Sequence, residues 1–172
     1  IKHPIIKASL SNFKSKDQLE IVSISDIPAG TGLGSSGSFT VGLLNSLHAY
    51  NHQTTSQSEL AEKACNIEMN ILKEPSGKQD PYAASFGGIK IFEINNTGVV
   101  KVKELNLDPD FRKEFEESLT LFFTGYARKS AKILDHHKTQ MLKKNKEMIK
   151  NLDFVKSIAL ETIKAFKNKS IS

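Results

Sequence analysis

The hydrophobic positions of this chain change period along its length, and the changes divide it into elements. Leu19, Ile21, Ile24 and Ile27 punctuate a β-branched run over Gln18 to Asp26, which predicts a strand. From about Ser35 to Tyr50 the spacing lengthens to three and four, with Phe39, Leu43, Leu44 and Leu47 on one helical face. A polar turn at Asn51 to Gln57 precedes a second helix over about Ser58 to Leu72, with Leu60, Ala64, Ile67 and Ile71 inward. Pro75-Ser76-Gly77 breaks that helix, and a short one follows from Asp80 to Phe86. After Gly87-Gly88, Ile89 to Ile94 and Val99 to Val102 flank Asn95-Asn96-Thr97-Gly98, a hairpin signal. Phe111 to Glu117 reads as helix and Leu119 to Thr124 as strand. Gly125 turns into a helix carrying Arg128 and running towards His137. The closing segment is helical, with Met148, Leu152, Val155, Ala159, Ile163 and Phe166 on one stripe.

The 172 residues suffice for a buried core, and no apolar run approaches the roughly 18–20 residues that span a bilayer. The one cysteine, Cys65, cannot close an internal disulfide and reads as a small buried hydrophobe in a reducing cytoplasm. Net charge is +5, and it is concentrated. From Lys138 onward nine of the 24 basic side chains stand against three of the 19 acids, Glu147, Asp153 and Glu161. Nucleic-acid binding fits that surplus poorly, because the segment has no Arg and only Phe154 and Phe166 as aromatics. A solvated lysine face on an amphipathic helix is the expectation. Adjacent His136 and His137 point to different sides of a helix and are read as solvated.

Between the first strand and the first helix lies Ile27-Pro28-Ala29-Gly30-Thr31-Gly32-Leu33-Gly34-Ser35-Ser36-Gly37. Its glycines allow a sharp turn and a close backbone approach. The helix start behind them offers unpaired N–H groups and the positive end of a dipole, which together attract phosphate. Gly32 to Gly37 matches G-x-G-x-x-G, but a dinucleotide site also needs a second strand ending in an acid about 20 residues on. Here Asn51-His52-Gln53-Thr54-Thr55 leads into another helix instead. The P-loop pattern fails too, since no Lys follows the glycines.

The glycine segment, with its proline and double serine, resembles the second motif of the GHMP kinases. That motif usually closes with Ala where Gly37 stands. A second likeness follows in the right order: Glu68 on the second helix, then Pro75-Ser76-Gly77-Lys78-Gln79-Asp80, Tyr82 and Gly87-Gly88. Thr124-Gly125-Tyr126-Ala127-Arg128-Lys129-Ser130 is similar to a stretch in the branch that phosphorylates sugars at the anomeric hydroxyl.

The resemblance implies an ATP- and Mg²⁺-dependent sugar kinase with D-glycero-D-manno-heptose 7-phosphate as the acceptor. A fucokinase- or galactokinase-like kinase, or a non-catalytic module that binds nucleotide or a partner, are the alternatives. The ATP loop would comprise Pro28, Gly30, Gly32, Leu33, Gly34, Ser35, Ser36 and Gly37. Ser36 and Glu68 would reach Mg²⁺, and Asp80 would orient or deprotonate the acceptor hydroxyl. Gly77, Asp80, Tyr82 and Arg128 would meet the substrate, Arg128 through its planar fork on an existing phosphate. Blander roles stay open: Glu68 as a solvated helix acid, Asp80 as the N-cap of the helix containing Pro81, Arg128 as a surface residue.

The implied fold is α+β, a ribosomal protein S5 domain 2-like unit over residues 1–118 and the start of a ferredoxin-like domain over 119–172. The family's first motif and its third, glycine-rich motif do not occur in the chain. It therefore reads as the central part of an enzyme roughly twice as long, with little activity alone.

Overall fold

A computed structural model describes residues 1–13, 19–27, 30–123, 125 and 130–170. Among the described residues the chain divides into two compact units, one built on residues 1–88 with 130–134 and the other on 89–123 and 125 with 135–170.

The first unit is helical. Helix α1 (Pro4–Asn12) starts at His3, whose ring accepts from the Ile6 amide, with Pro4 at the first helical position. Helix α2 (Ser35–Tyr50) follows the glycine segment, and α3 (Gln57–Cys65) opens with a reciprocal capping box between Ser56 and Glu59. At Asn66–Ile71 α3 widens into a π-helical turn, and α4 (Gln79–Phe86) completes the unit. Ala8, Val41, Leu44, Leu60, Ala64 and Ile67 form the core where α1, α2 and α3 meet, flanked by Phe13 and Leu72.

Two sequence expectations change here. α1 was not anticipated, yet Ala8 and Ser9 are buried in it. The strand expected over Gln18 to Asp26 does not form among the described residues 19–27. A strand is stabilised by its ladder, and this run pairs with no other, leaving Val22 and Ile24 at 74% and 90% exposure.

The second unit opens with an antiparallel hairpin, β1 (Lys90–Ile94) and β2 (Val100–Glu104), in the register Lys90↔Glu104 to Ile94↔Val100. Asn95 builds the turn by accepting from the Thr97 and Val99 amides, and Gly98 supplies a left-handed φ of 81°. Helix α5 (Pro109–Ser118) is capped by Asp108; α6 (Ser130–Leu142), which joins this unit from Asp135 on, and α7 (Lys146–Lys167) follow. Phe111 and Phe115 meet Phe166 edge-on, at 6.1 and 4.9 Å between ring centres. The rest of the α7 stripe is largely open, Val155 being 60% exposed. The strand expected at Leu119 to Thr124 is not formed over 119–123, which joins no ladder and exposes Leu121, Phe122 and Phe123. Thr124 lies outside the described residues. No helix among them is long and apolar enough to cross a membrane.

Candidate active site

Three stretches distant in sequence converge at the start of α2. Gly30, Gly32 and Gly34 all have positive φ, at 83°, 80° and 67°, a region that costs a side-chain-bearing residue dearly. Gly34 is the N-cap, and no side chain caps this end. The first-turn amides behind it are therefore a place for an anion. Ser38 donates to the Gly34 carbonyl at 3.0 Å, which fixes the loop to the helix. Leu33 is about half-exposed at the loop's tip. Pro28 lies outside the described residues.

The first turn of α4 nests against this loop. A Cβ on Gly34 would lie 3.2 Å from Asp80 Cγ; one on Gly37 would lie 2.9 Å from Asp80 Cβ and 3.1 Å from two backbone atoms of Asp80 and Pro81. Both glycines are thus needed for close approach, and the approach sets the Asp80 carboxyl beside the loop. Asp80 is not the N-cap. That position is held by Lys78, with Asp80 inside the first helical turn.

Glu68 arrives from the other side, in the π-helical turn, and is only 3% exposed. It is not a solvated helix acid. Thr40 donates to Glu68 Oε1 at 3.0 Å, its single proton shared with the Ser36 carbonyl at 2.8 Å. The Ser36 hydroxyl bonds to the same carboxylate. Burial pushes the Glu68 carboxyl above the usual carboxylate range; the Thr40 and Ser36 hydrogen bonds oppose this, and the charges of Asp80 and Glu74 add to it. Thr40 escaped the sequence reading. Its signal is its place four residues after Ser36, on the same face of α2.

Among the described residues, neither Glu68 nor Asp80 forms an ion pair with a basic side chain. Two neighbouring carboxylates and two hydroxyls offer only hard oxygen donors to a cation. That set suits Mg²⁺, which takes one or two carboxylates and completes its shell with water and phosphate oxygens. A site closed by three or more His, Cys, Asp or Glu side chains does not occur among the described residues.

The remaining expected substrate residues are placed differently. Tyr82 is 3% exposed, stacked on Phe86, and its hydroxyl donates to Glu62 Oε1 at 2.5 Å. Gly77 is exposed, with open space where a Cβ would stand. Arg128 lies outside the described residues.

Comparison with known proteins gives this arrangement a family. Residues 4–88 match the profile of the GHMP kinases N terminal domain. Residues 4–88 are a GHMP kinase N-terminal domain. The match takes in the glycine loop, Glu68, Asp80 and the Gly87-Gly88 pair.

The chain is 33% identical over 117 residues to D-glycero-alpha-D-manno-heptose 7-phosphate kinase of Campylobacter jejuni, covering 68% of this chain and 34% of that enzyme. It is 24% identical over 160 residues to the bifunctional fucokinase/GDP-fucose pyrophosphorylase of Arabidopsis thaliana, covering 91% of this chain and 15% of that protein. A crystal structure of a D-glycero-D-manno-heptose 1-phosphate kinase from Bacteroides thetaiotaomicron superposes with a TM-score of 0.59 at 31% identity, over 67% of this chain and 39% of that one. The chain thus spans about a third of the length of the heptose kinase relatives it matches. The GHMP fold expected from the sequence is the fold of the matched region.

Proposed function

We propose that this chain carries the phosphate-binding and catalytic portion of an ATP- and Mg²⁺-dependent sugar kinase. The reading rests on one observation: a GHMP glycine loop, a buried Glu68 and Asp80 come together from three sequence segments within side-chain reach.

The amides of the first turn of α2 bind phosphate oxygens, aided by the helix dipole. Ser36 and Glu68 hold Mg²⁺, and Thr40 orients the Glu68 carboxylate towards it. When bound, the ion neutralises charge on the transferred phosphoryl group. Asp80 orients the acceptor hydroxyl and takes its proton, at a carboxyl already held beside the loop. Tyr82 serves as a buried strut in this scheme, because its hydroxyl is committed to Glu62.

The acceptor is D-glycero-D-manno-heptose 7-phosphate at its anomeric hydroxyl, a reading supported by the 33% identity to the Campylobacter jejuni heptose 7-phosphate kinase. A fucokinase-like acceptor is the second reading, supported by matches that run over 91% and 88% of this chain.

The test is ADP release by the full-length protein with heptose 7-phosphate, L-fucose and galactose in parallel, for wild type and Asp80→Asn. Heptose-dependent turnover that Asp80→Asn lowers by about 10²–10⁴-fold, with ATP binding retained, is expected. Turnover with L-fucose alone moves the acceptor assignment to the second reading. ATP binding without turnover on any sugar leaves a binding module and removes the kinase reading.

A further inference from the structure

Among the described residues no side chain anchors the Asp80 carboxyl, yet its position decides the proposed chemistry. Asp80 sits in the first turn of α4, where no side chain caps the helix. Ends of this kind fray unless something holds them. What holds this one is Glu62 of α3. Its Oε1 accepts from the Tyr82 hydroxyl at 2.5 Å and from Lys78 Nζ at 2.6 Å, and its Oε2 accepts from the same Lys78 Nζ at 2.8 Å.

Lys78 and Tyr82 are four residues apart, so they fall on one face of α4. Asp80 lies midway between them, two residues from each, and so on the opposite face. One carboxylate thus grips the α3-facing side of the turn at both ends. The other side of the same turn presses Asp80 against Gly34 and Gly37. A helix gripped at i and i+4 on one face cannot rotate about its axis without breaking one bond of the pair. Rotation about that axis is the motion that would carry Asp80 away from the loop.

The electrostatics agree with a committed clamp. Burial works to raise the Glu62 carboxyl, but the hydrogen bonds from Lys78 and Tyr82 outweigh it and hold the group below the usual carboxylate range. Tyr82 is driven the opposite way, by burial first, then by its hydrogen bond to Glu62 and by the Glu62 charge, so its proton stays on the phenol and in the bond. An exposed Lys–Glu pair alone would contribute little. The buried phenol is what makes this one specific, because a short O–H···O⁻ bond is among the stronger kinds and has a narrow geometry.

We infer that Glu62 is a positioning residue that fixes the rotation of α4 through Lys78 and Tyr82, and thereby sets Asp80 against the glycine loop for proton abstraction. The inference rests on the kinase reading above. Its test uses the full-length protein, with ADP release measured against ATP and sugar phosphate separately. Glu62→Ala is expected to lower kcat about 10-fold while the KM for ATP changes less than 2-fold, since the glycine loop and Glu68 are untouched. Tyr82→Phe, which keeps the buried ring, is expected to give an intermediate loss of the same kind, and Glu62→Gln to restore part of the rate.

The deciding measurement is the pair with Asp80. In an Asp80→Asn background Glu62→Ala should cost less than 2-fold further, because Glu62 acts only through the carboxylate already removed. A full additional 10-fold loss there, or an equal rise in the KM for ATP, assigns Glu62 to general stability and overturns the inference. So does an unchanged kcat in both Glu62→Ala and Tyr82→Phe. An Asp80→Asn enzyme that turns over normally removes Asp80 from the mechanism and overturns the inference with it, whereas a wild-type protein that turns over no sugar sinks the kinase reading itself, which is a distinct outcome. Should Glu62→Ala fail to fold, Tyr82→Phe with the same background comparison decides alone.

Discussion

Gly37→Ala is the sharpest probe of how closely α4 seats on the glycine loop. The new methyl would stand 2.9 Å from Asp80 Cβ and 3.1 Å from two backbone atoms, whereas ordinary contacts begin near 3.4 Å. The first turn of α4 must therefore retreat by about 0.5 Å, and backbone cannot swing aside as a flexible side chain can. Overpacking of this kind costs about 1–3 kcal/mol. Alanine is also the better helix former by about 0.8–1 kcal/mol, which offsets part of that. The net expectation is a loss of about 0–2 kcal/mol, read as a thermal midpoint lower by roughly 4–8 °C per kcal/mol for a unit of this size. Activity should suffer more than stability. If a misplacement of about 1 Å costs on the order of 10²-fold, half that distance at Asp80 should cost about 10-fold in kcat. Thermal unfolding followed by circular dichroism gives the first quantity and ADP release at saturating ATP the second. A stabilised variant with unchanged kcat would refute the close seating, because the alanine would then have gained its helix propensity without displacing Asp80. The outcome bears on the family as well, since the motif usually carries alanine here and this chain does not.

Other expectations follow from the same geometry. Thr40→Val keeps the side chain's shape but removes a donor from a buried carboxylate, which should cost about 1–3 kcal/mol in urea denaturation and weaken Mg²⁺-dependent stabilisation. Glu68 is raised in the folded protein, so its contribution to stability is fully present below its unfolded value of 4.5 and is lost as pH rises through its folded value. The metal-free thermal midpoint should therefore decline over that interval, and Glu68→Gln should flatten the decline while abolishing turnover. Equal pH slopes for the two proteins would show that the buried carboxylate is not the group responsible. Cys65 is 3% exposed, and burial raises its thiol to about 12. It should resist a thiol-specific disulfide reagent at pH 8 in the native state and react promptly in denaturant.

How much of this was legible in the sequence depended on whether a feature is local. Helix α2 was legible to its ends, because glycines stop it on one side and Asn51 on the other. The hairpin turn at Asn95 to Gly98 was legible for the same reason. Ser36, Glu68 and Asp80 were singled out through the family resemblance, and the structure brings them together. Glu62 was missed because its role comes from partners on another helix, which no periodicity reports, and Thr40 because its helical spacing from Ser36 says nothing of the Glu68 it meets. The strand expected at Gln18 to Asp26 shows the converse: a β-branched run is a strand only where another strand lies beside it.

The least legible feature is the π-helical turn, and it is the one that delivers Glu68. An unbroken α-helix would place Leu60, Ala64, Ile67 and Ile71 along one buried face. In the structure Ile71 is 43% exposed and Leu72 packs against the core instead. The reason is the wide turn over Asn66–Ile71, closed by the Leu72 amide reaching back five residues to the Ile67 carbonyl at 2.9 Å, so that it holds one residue more than an α turn. The extra residue lets Ile67 and Glu68 both turn inward, Ile67 to the apolar core and Glu68 to Ser36 and Thr40. The Glu74 amide then closes on the Glu68 carbonyl at 2.9 Å and ends the helix. A wide turn makes poorer hydrogen bonds than an α turn, and a buried carboxylate beside Asp80 carries an unfavourable charge. Neither arrangement favours folding by itself. Both are accounted for if a cation bound at Ser36 and Glu68 recovers the electrostatic cost when the site is loaded.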